Sequence, residues 1–101
     1  MSEFGLYLGS SKWFSFRLLD PDGDVIPINT SNLKLRVYRP DGSLYAEYTT
    51  GFVTRDDGSV IRLVTIDSDE MPGYWCAVWE YDDGFGHTWV EEMPFVVNRV
   101  G

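Results

Sequence analysis

Four Asp-Gly pairs divide this chain of 101 residues into short segments in which apolar and polar residues alternate. Glycine adopts the positive φ that tight hairpin turns require and aspartate tolerates it, so each pair marks a turn between two strands. With turns at this spacing, the sequence predicts one all-β domain, an antiparallel β-sandwich of seven or eight short strands. The four pairs are Asp22-Gly23, Asp41-Gly42, Asp57-Gly58 and Asp83-Gly84.

The N-terminal residues follow this alternation less clearly than the rest of the chain. Residues 1–11 alternate apolar residues with glycine and tyrosine, and the pattern breaks at Ser10 and Ser11. We expect them to form an N-terminal arm or an edge strand, in this sheet or on a neighbouring subunit. Residues 12–101 are predicted to form the sandwich domain, which begins with a half-buried strand around Phe14 and Phe16.

The charge of the chain limits what it can bind. The formal net charge is −8, and the eight lysines and arginines are scattered, so no basic stripe exists to replace phosphate counterions. We therefore expect neither nucleic acid nor an anionic membrane as a partner. No apolar stretch reaches membrane-spanning length and the N-terminus lacks a secretory signal, so synthesis in a cytoplasm is expected.

The titratable residues form no recognisable catalytic set, so we expect a protein that is not an enzyme and needs no cofactor. His87 is the only histidine, and it has no cysteine partner at the spacing of a zinc site, which takes three or four ligands. Cys76 is the only cysteine, so no intrachain disulfide can form. It lies in an apolar segment, where a buried and inert thiol is expected.

One run of alternating acids has the spacing of a calcium-binding loop. It consists of Asp20, Asp22 and Asp24. The EF-hand pattern also requires glycine at its sixth position and glutamate at its twelfth, where this chain has Val25 and Ser31. We therefore expect a solvated acidic turn and no metal site.

The segment from Tyr74 to Tyr81 is unusual because it has no polar face before Glu80. A strand in a two-layer sandwich normally turns one face to water, and a large exposed apolar face usually marks a partner site. We expect the aromatic row of this segment, extended by other strands and by the N-terminal arm, to bind a partner. The residues assigned to this surface are Trp75, Trp79, Tyr81, Trp89, Tyr38, Phe4, Leu6 and Leu8.

The same aromatic segment is compatible with two further arrangements. In the first, loops or termini of the same chain would cover the rings. In the second, the rings would stack on sugars, and a glycan would then be the ligand in place of a protein. Tyr74, two residues before Cys76, also has the spacing of the tyrosine that braces a loop in immunoglobulin domains. An ordinary half-buried strand tyrosine is the equal alternative.

Seven motifs follow one another along the chain: Trp13-Phe14-Ser15-Phe16, Asp20-Pro21-Asp22-Gly23, Leu33 to Tyr38, Pro40-Asp41-Gly42, Asp57-Gly58-Ser59-Val60, Pro72-Gly73-Tyr74 and Phe95-Val96-Val97. Their order resembles the Ig-like β-sandwich modules of bacteriophage structural proteins, notably the N-terminal domains of phage baseplate upper proteins. The resemblance covers roughly residues 12 to 98. It implies an Ig-like sandwich and a non-enzymatic virion component, such as a capsid decoration, neck or tail protein. Such a protein is made in the bacterial host and docks on other virion proteins and on copies of itself.

Overall fold

The computed structural model describes residues 5–99, which contain ten strands and one 3-10 helical turn joined by loops. The all-β prediction is confirmed. The structure has more strands than the seven or eight predicted because three of its strands are only two residues long. In chain order the elements are β1 (Gly5–Tyr7), β2 (Ser11–Phe16), β3 (Leu18–Leu19), β4 (Val25–Ile26), the 3-10 turn (Thr30–Asn32), β5 (Leu33–Tyr38), β6 (Leu44–Tyr48), β7 (Val53–Thr54), β8 (Val60–Thr65), β9 (Gly73–Asp82) and β10 (Thr88–Asn98).

The strands form two main sheets and one short hairpin. A five-stranded sheet has the order β1-β10-β9-β5-β6, and a three-stranded sheet has the order β2-β8-β7. The hairpin pairs β3 with β4. Side chains on a strand point in turn to opposite faces, so each sheet directs one set of alternate residues inward. These inward sets form one apolar core, and the predicted β-sandwich is confirmed.

The N-terminal strand departs from the antiparallel pattern. β1 runs parallel to β10, with Leu6 opposite Val97 at the edge of the five-stranded sheet. Leu6 is only 5% exposed, and Leu8 is partly buried against the core. The arm therefore completes its own sheet from residue 5 onward, and the prediction that Leu6 faces a partner is wrong. Phe4 lies outside the described residues.

The four predicted Asp-Gly turns are confirmed, since their glycines all have φ between 82° and 89°. Two of the turns continue with serine and share one hydrogen-bond pattern. The Asp41 carboxylate accepts bonds from the N–H and the hydroxyl of Ser43. Asp57 accepts the same pair from Ser59. These bonds stabilise the ionised carboxylates and lower the pKa of both aspartates.

Candidate binding surface on the five-stranded sheet

β9 is the central strand of the candidate surface, and the structure shows which of its two apolar faces is covered. Trp75, Trp79 and Tyr81 point into the sandwich and are 1%, 0% and 4% exposed. Phe16 of the opposite sheet stacks on Trp79, with the ring centroids 5.5 Å apart. The prediction that these three rings form an exposed row is wrong, because they fill the space between the two sheets.

The polar atoms of these rings are mostly used inside the chain. The Trp75 indole Nε1 donates to the Met71 carbonyl at 3.0 Å, and the Tyr81 hydroxyl accepts the Asn29 N–H at 2.9 Å. Tyr81 therefore braces a loop, whereas the Tyr74 hydroxyl has no partner within residues 5–99. The Trp79 indole N–H is buried and has no hydrogen-bond partner in the same range.

The remaining predicted residues lie on different faces. Trp89 on β10 is partly buried and stacks on Tyr81 at 5.8 Å, so it belongs to the inner face. Tyr38 on β5 is half-buried. Leu35 and Val37 of the same strand point inward, so Tyr38, at the alternate position, lies on the outer face of the sheet. Of the predicted partner-binding residues that the structure describes, Tyr38 is thus the one that lies on the outer face of this sheet.

The outer face of the five-stranded sheet has its own apolar surface, which we call the outer strip. The strand register places Leu44, Tyr38, Cys76 and Pro94 side by side across four strands. Tyr74 and Val96 form the next pair on β9 and β10. Tyr74 is 79% exposed and Leu44 is 48% exposed. The outer strip consists of Tyr38, Leu44, Tyr74, Cys76, Pro94 and Val96.

The sequence contained the signal for this strip, since β9 has no polar face before Glu80. Sequence reasoning selected the wrong one of the two faces. It preferred the face with the tryptophans, whose large rings are the ones that a core favours.

Charged residues border the outer strip along the sheet. In the next register row, the Arg36 Nε donates to Glu47 at 2.7 Å, and its Nη1 contacts Glu80 at 3.4 Å. Glu92 shares that row and forms no ion pair with any residue of the described range. Asp41 and Asp69 are exposed in turns at the same end of the sheet as the strip. Three exposed acids, Asp41, Asp69 and Glu92, outnumber the exposed Arg99 that follows β10 at the same end of the sheet. The border of the outer strip therefore has a net negative charge, and we call its three acids the acidic rim.

A second charge contact holds the loops at this end of the sheet. The Arg39 guanidinium binds the Glu70 carboxylate with two bonds, of 2.7 and 3.1 Å. These bonds lower the pKa of Glu70. Arg39 also lies over the ring of Tyr45, 5.2 Å from its centroid, and the Tyr45 hydroxyl accepts the Asp67 N–H. The β5–β6 turn and the loop before β9 are thus tied together beside the strip.

The candidate chemical groups identified in the sequence are not assembled into a reactive site. Burial raises the pKa of the half-buried Cys76 thiol, with a smaller contribution from the charge of Glu92. His87 is exposed and its Nδ1 lies 2.9 Å from an oxygen of Asp83. Across residues 5–99 no group of three histidine, cysteine or acidic side chains is placed to hold a metal ion.

Comparisons with known proteins inform the fold alone. No protein-family model matches the chain, and no curated protein sequence matches it. Its structure is similar to the crystal structure of CopC from Methylosinus trichosporium OB3b, with a TM-score of 0.60 and 14% identity over 99% of this chain and 88% of that one. A family 123 glycoside hydrolase from Clostridium perfringens aligns with 97% of this chain and 23% of its own, at 13% identity. Its TM-score of 0.43 is too low to establish a shared fold.

Nothing in the described range has the form of a membrane-spanning helix, judged by length and apolar character.

Proposed function

We propose that this domain is a non-enzymatic binding module that docks on another protein through the outer strip. The observation that carries the proposal is the row of apolar side chains across four strands, with Tyr74 79% exposed to water. Covering such a row stabilises a complex by about 25 cal/mol per Å² of apolar area before the costs of association. An exposed apolar patch with a charged border is typical of a protein interface.

The charges around the strip indicate what kind of protein fits it. The rim is acidic, and the chain as a whole has a formal net charge of −8. Two copies of the chain therefore repel each other as they approach. A partner with an apolar patch and a basic border gains attraction instead, which speeds association and excludes wrong partners. We therefore assign the outer strip to the binding of such a heterologous protein. The experiment below distinguishes this from binding of a second copy of the chain.

The motif order that resembles phage structural proteins extends the proposal to a biological setting. We propose that the chain is a virion component, of the capsid, neck or tail, and that its partner is another virion protein. The virion role is inferred from the resemblance, whereas the choice of docking face is inferred from the exposure of the outer strip. The two parts are tested separately.

The test uses two substitutions at sites of equal exposure. Leu44 lies in the outer strip and Val53 lies on β7 of the other sheet, and both are 48% exposed. Tagged wild-type chain, Leu44→Glu and Val53→Glu are supplied during phage growth, and each is quantified in purified particles. We expect wild type and Val53→Glu in the particles and a loss of Leu44→Glu. Equal thermal stability of the two variants shows that the loss is one of binding.

Three results would contradict parts of the proposal. Equal incorporation of both variants excludes the outer strip as the docking face. Absence of the wild-type chain from particles excludes a virion role. Light scattering provides the third: a stable dimer that Leu44→Glu dissociates means that the strip binds a second copy.

A further inference from the structure

A second surface lies at the opposite end of the five-stranded sheet from the outer strip, where β5 begins and β9 ends. The segment before β5, the segment after β6 and the β9–β10 loop meet there around a groove of about 340 Å³. This volume is within the range of small-ligand sites. The groove is lined by Ser31, Asn32, Leu33, Lys34, Thr49, Asp82 and Gly84.

The lining of the groove combines hydrogen-bond donors and acceptors. The hydroxyls of Ser31 and Thr49 do both, as does the Asn32 amide. Lys34 donates and Asp82 accepts, and neither forms an ion pair with another residue between positions 5 and 99. One positive and one negative group leave the groove with little net charge. A neutral ligand rich in hydroxyls fits this set, because each hydroxyl donates to a carboxylate and accepts from an ammonium or amide.

The β9–β10 loop, which forms one wall of the groove, is held in place by its own aspartates. One Asp83 oxygen accepts the N–H groups of Phe85 at 2.7 Å and His87 at 3.1 Å, and the other contacts the His87 ring. Asp82 accepts the Gly84 N–H at 2.8 Å. These bonds satisfy backbone groups that a loop normally leaves to water, so this wall is pre-formed.

The opposite wall is connected to the same strand through Tyr81. The Tyr81 hydroxyl accepts the Asn29 N–H, and the Asn29 side chain accepts the N–H of Ser31, a residue that lines the groove. Trp89, just beyond the β9–β10 loop, stacks on the Tyr81 ring. The buried Tyr81 side chain therefore contacts residues next to both walls of the groove. A ligand that enters does not have to order them, and this lowers the cost of binding.

Phe85 follows Gly84 at the tip of the braced loop and is 87% exposed, the most exposed large apolar side chain described. It contributes nothing to the core. An aromatic ring held in water on a rigid loop is typical of a binding anchor, and its face is suited to the C–H groups of a sugar ring. Phe85 does not itself line the groove, but it directly follows Gly84, which does. A saccharide that extends from the polar groove past Gly84 would therefore have an aromatic ring beside it.

We propose that this groove is a saccharide-binding site, in which Lys34, Asn32 and Asp82 bind the hydroxyls of a neutral sugar and Phe85 stacks on its ring. This site replaces the buried tryptophans as the place where a glycan binds. It is separate from the outer strip, so either proposal can fail without the other.

The experiment records amide NMR spectra of the whole chain while neutral mono- and disaccharides are added, with sialylated and sulfated saccharides as charged comparisons. We expect saturable shifts at the amides of Asn32, Lys34 and Gly84, strongest with neutral sugars. Phe85→Ala and Asp82→Asn should each weaken the binding about tenfold, the loss of one good contact. Tyr74→Ala removes an exposed aromatic ring at the other end of the sheet and should leave the affinity unchanged.

Melting temperatures of the variants provide the folding control, and Asp82→Asn preserves the shape of the side chain it replaces. The proposal is overturned if no saccharide gives saturable shifts, or if the shifts lie at the outer strip. It is also overturned if the groove binds only peptides or only charged sugars.

Discussion

The two faces of β9 are equally apolar over most of their length, yet they have opposite roles. On the inner face, Trp75 and Trp79 are covered by the other sheet and by loops of the same chain. On the outer face, Tyr74 is exposed and Cys76 is half-buried. An apolar face therefore does not by itself identify a binding surface. Only the face that the chain fails to cover with its own residues is free to meet a partner.

The two faces should differ most in the unfolding free energy that is lost when one aromatic ring on each face is truncated to alanine. Trp79→Ala removes a fully buried side chain that Phe16 and Phe52 contact, and should cost about 3–5 kcal/mol of unfolding free energy. Tyr74→Ala should change stability by no more than about 0.5 kcal/mol. Urea denaturation measures both values. Equal losses would show that Tyr74 is also packed, and the outer strip would then not be a free surface.

A smaller difference is expected between the two buried tryptophans themselves. Trp75→Phe removes a hydrogen bond to Met71, whereas Trp79→Phe removes an N–H that has no partner among the described residues. An unsatisfied buried donor costs about 1–3 kcal/mol, so its removal offsets part of the packing loss. Trp75→Phe should therefore destabilise the chain more than Trp79→Phe in the same denaturation assay. The reverse order would mean that the Trp79 N–H binds a buried water.

Thiol labelling of Cys76 probes the outer face without a substitution. Burial raises its pKa above the ordinary value of a cysteine thiol, so less thiolate is present at pH 8 than in a free cysteine, and labelling should be slow there. The rate should rise as the pH increases through the raised pKa. A protein bound to the outer strip should slow labelling further, whereas a sugar in the groove should not. Labelling at the rate of an unfolded control would contradict the half-buried position of this thiol.

Sequence reasoning predicted the turns and the fold class well because those features depend on local chemistry. Gly23, Gly42, Gly58 and Gly84 all have the positive φ that their Asp-Gly pairs predict. The parallel pairing of Leu6 with Val97 was not foreseen, since a short apolar segment does not reveal which strand it will pair with. The proposed saccharide groove was also missed. Ser31, Thr49 and Asp82 are far apart in the sequence, and residues of these types are common on protein surfaces.

The sequence by itself determined which residues share a face of each strand, because successive side chains on a strand point in opposite directions. It also determined where the strands turn. Only the tertiary structure decided which face of β9 is inside. That choice depends on volume, since Trp75 and Trp79 fill the space between the sheets together with Phe14 and Phe16 of the opposite sheet. The smaller residues of the other face are left outward, and there they form the outer strip.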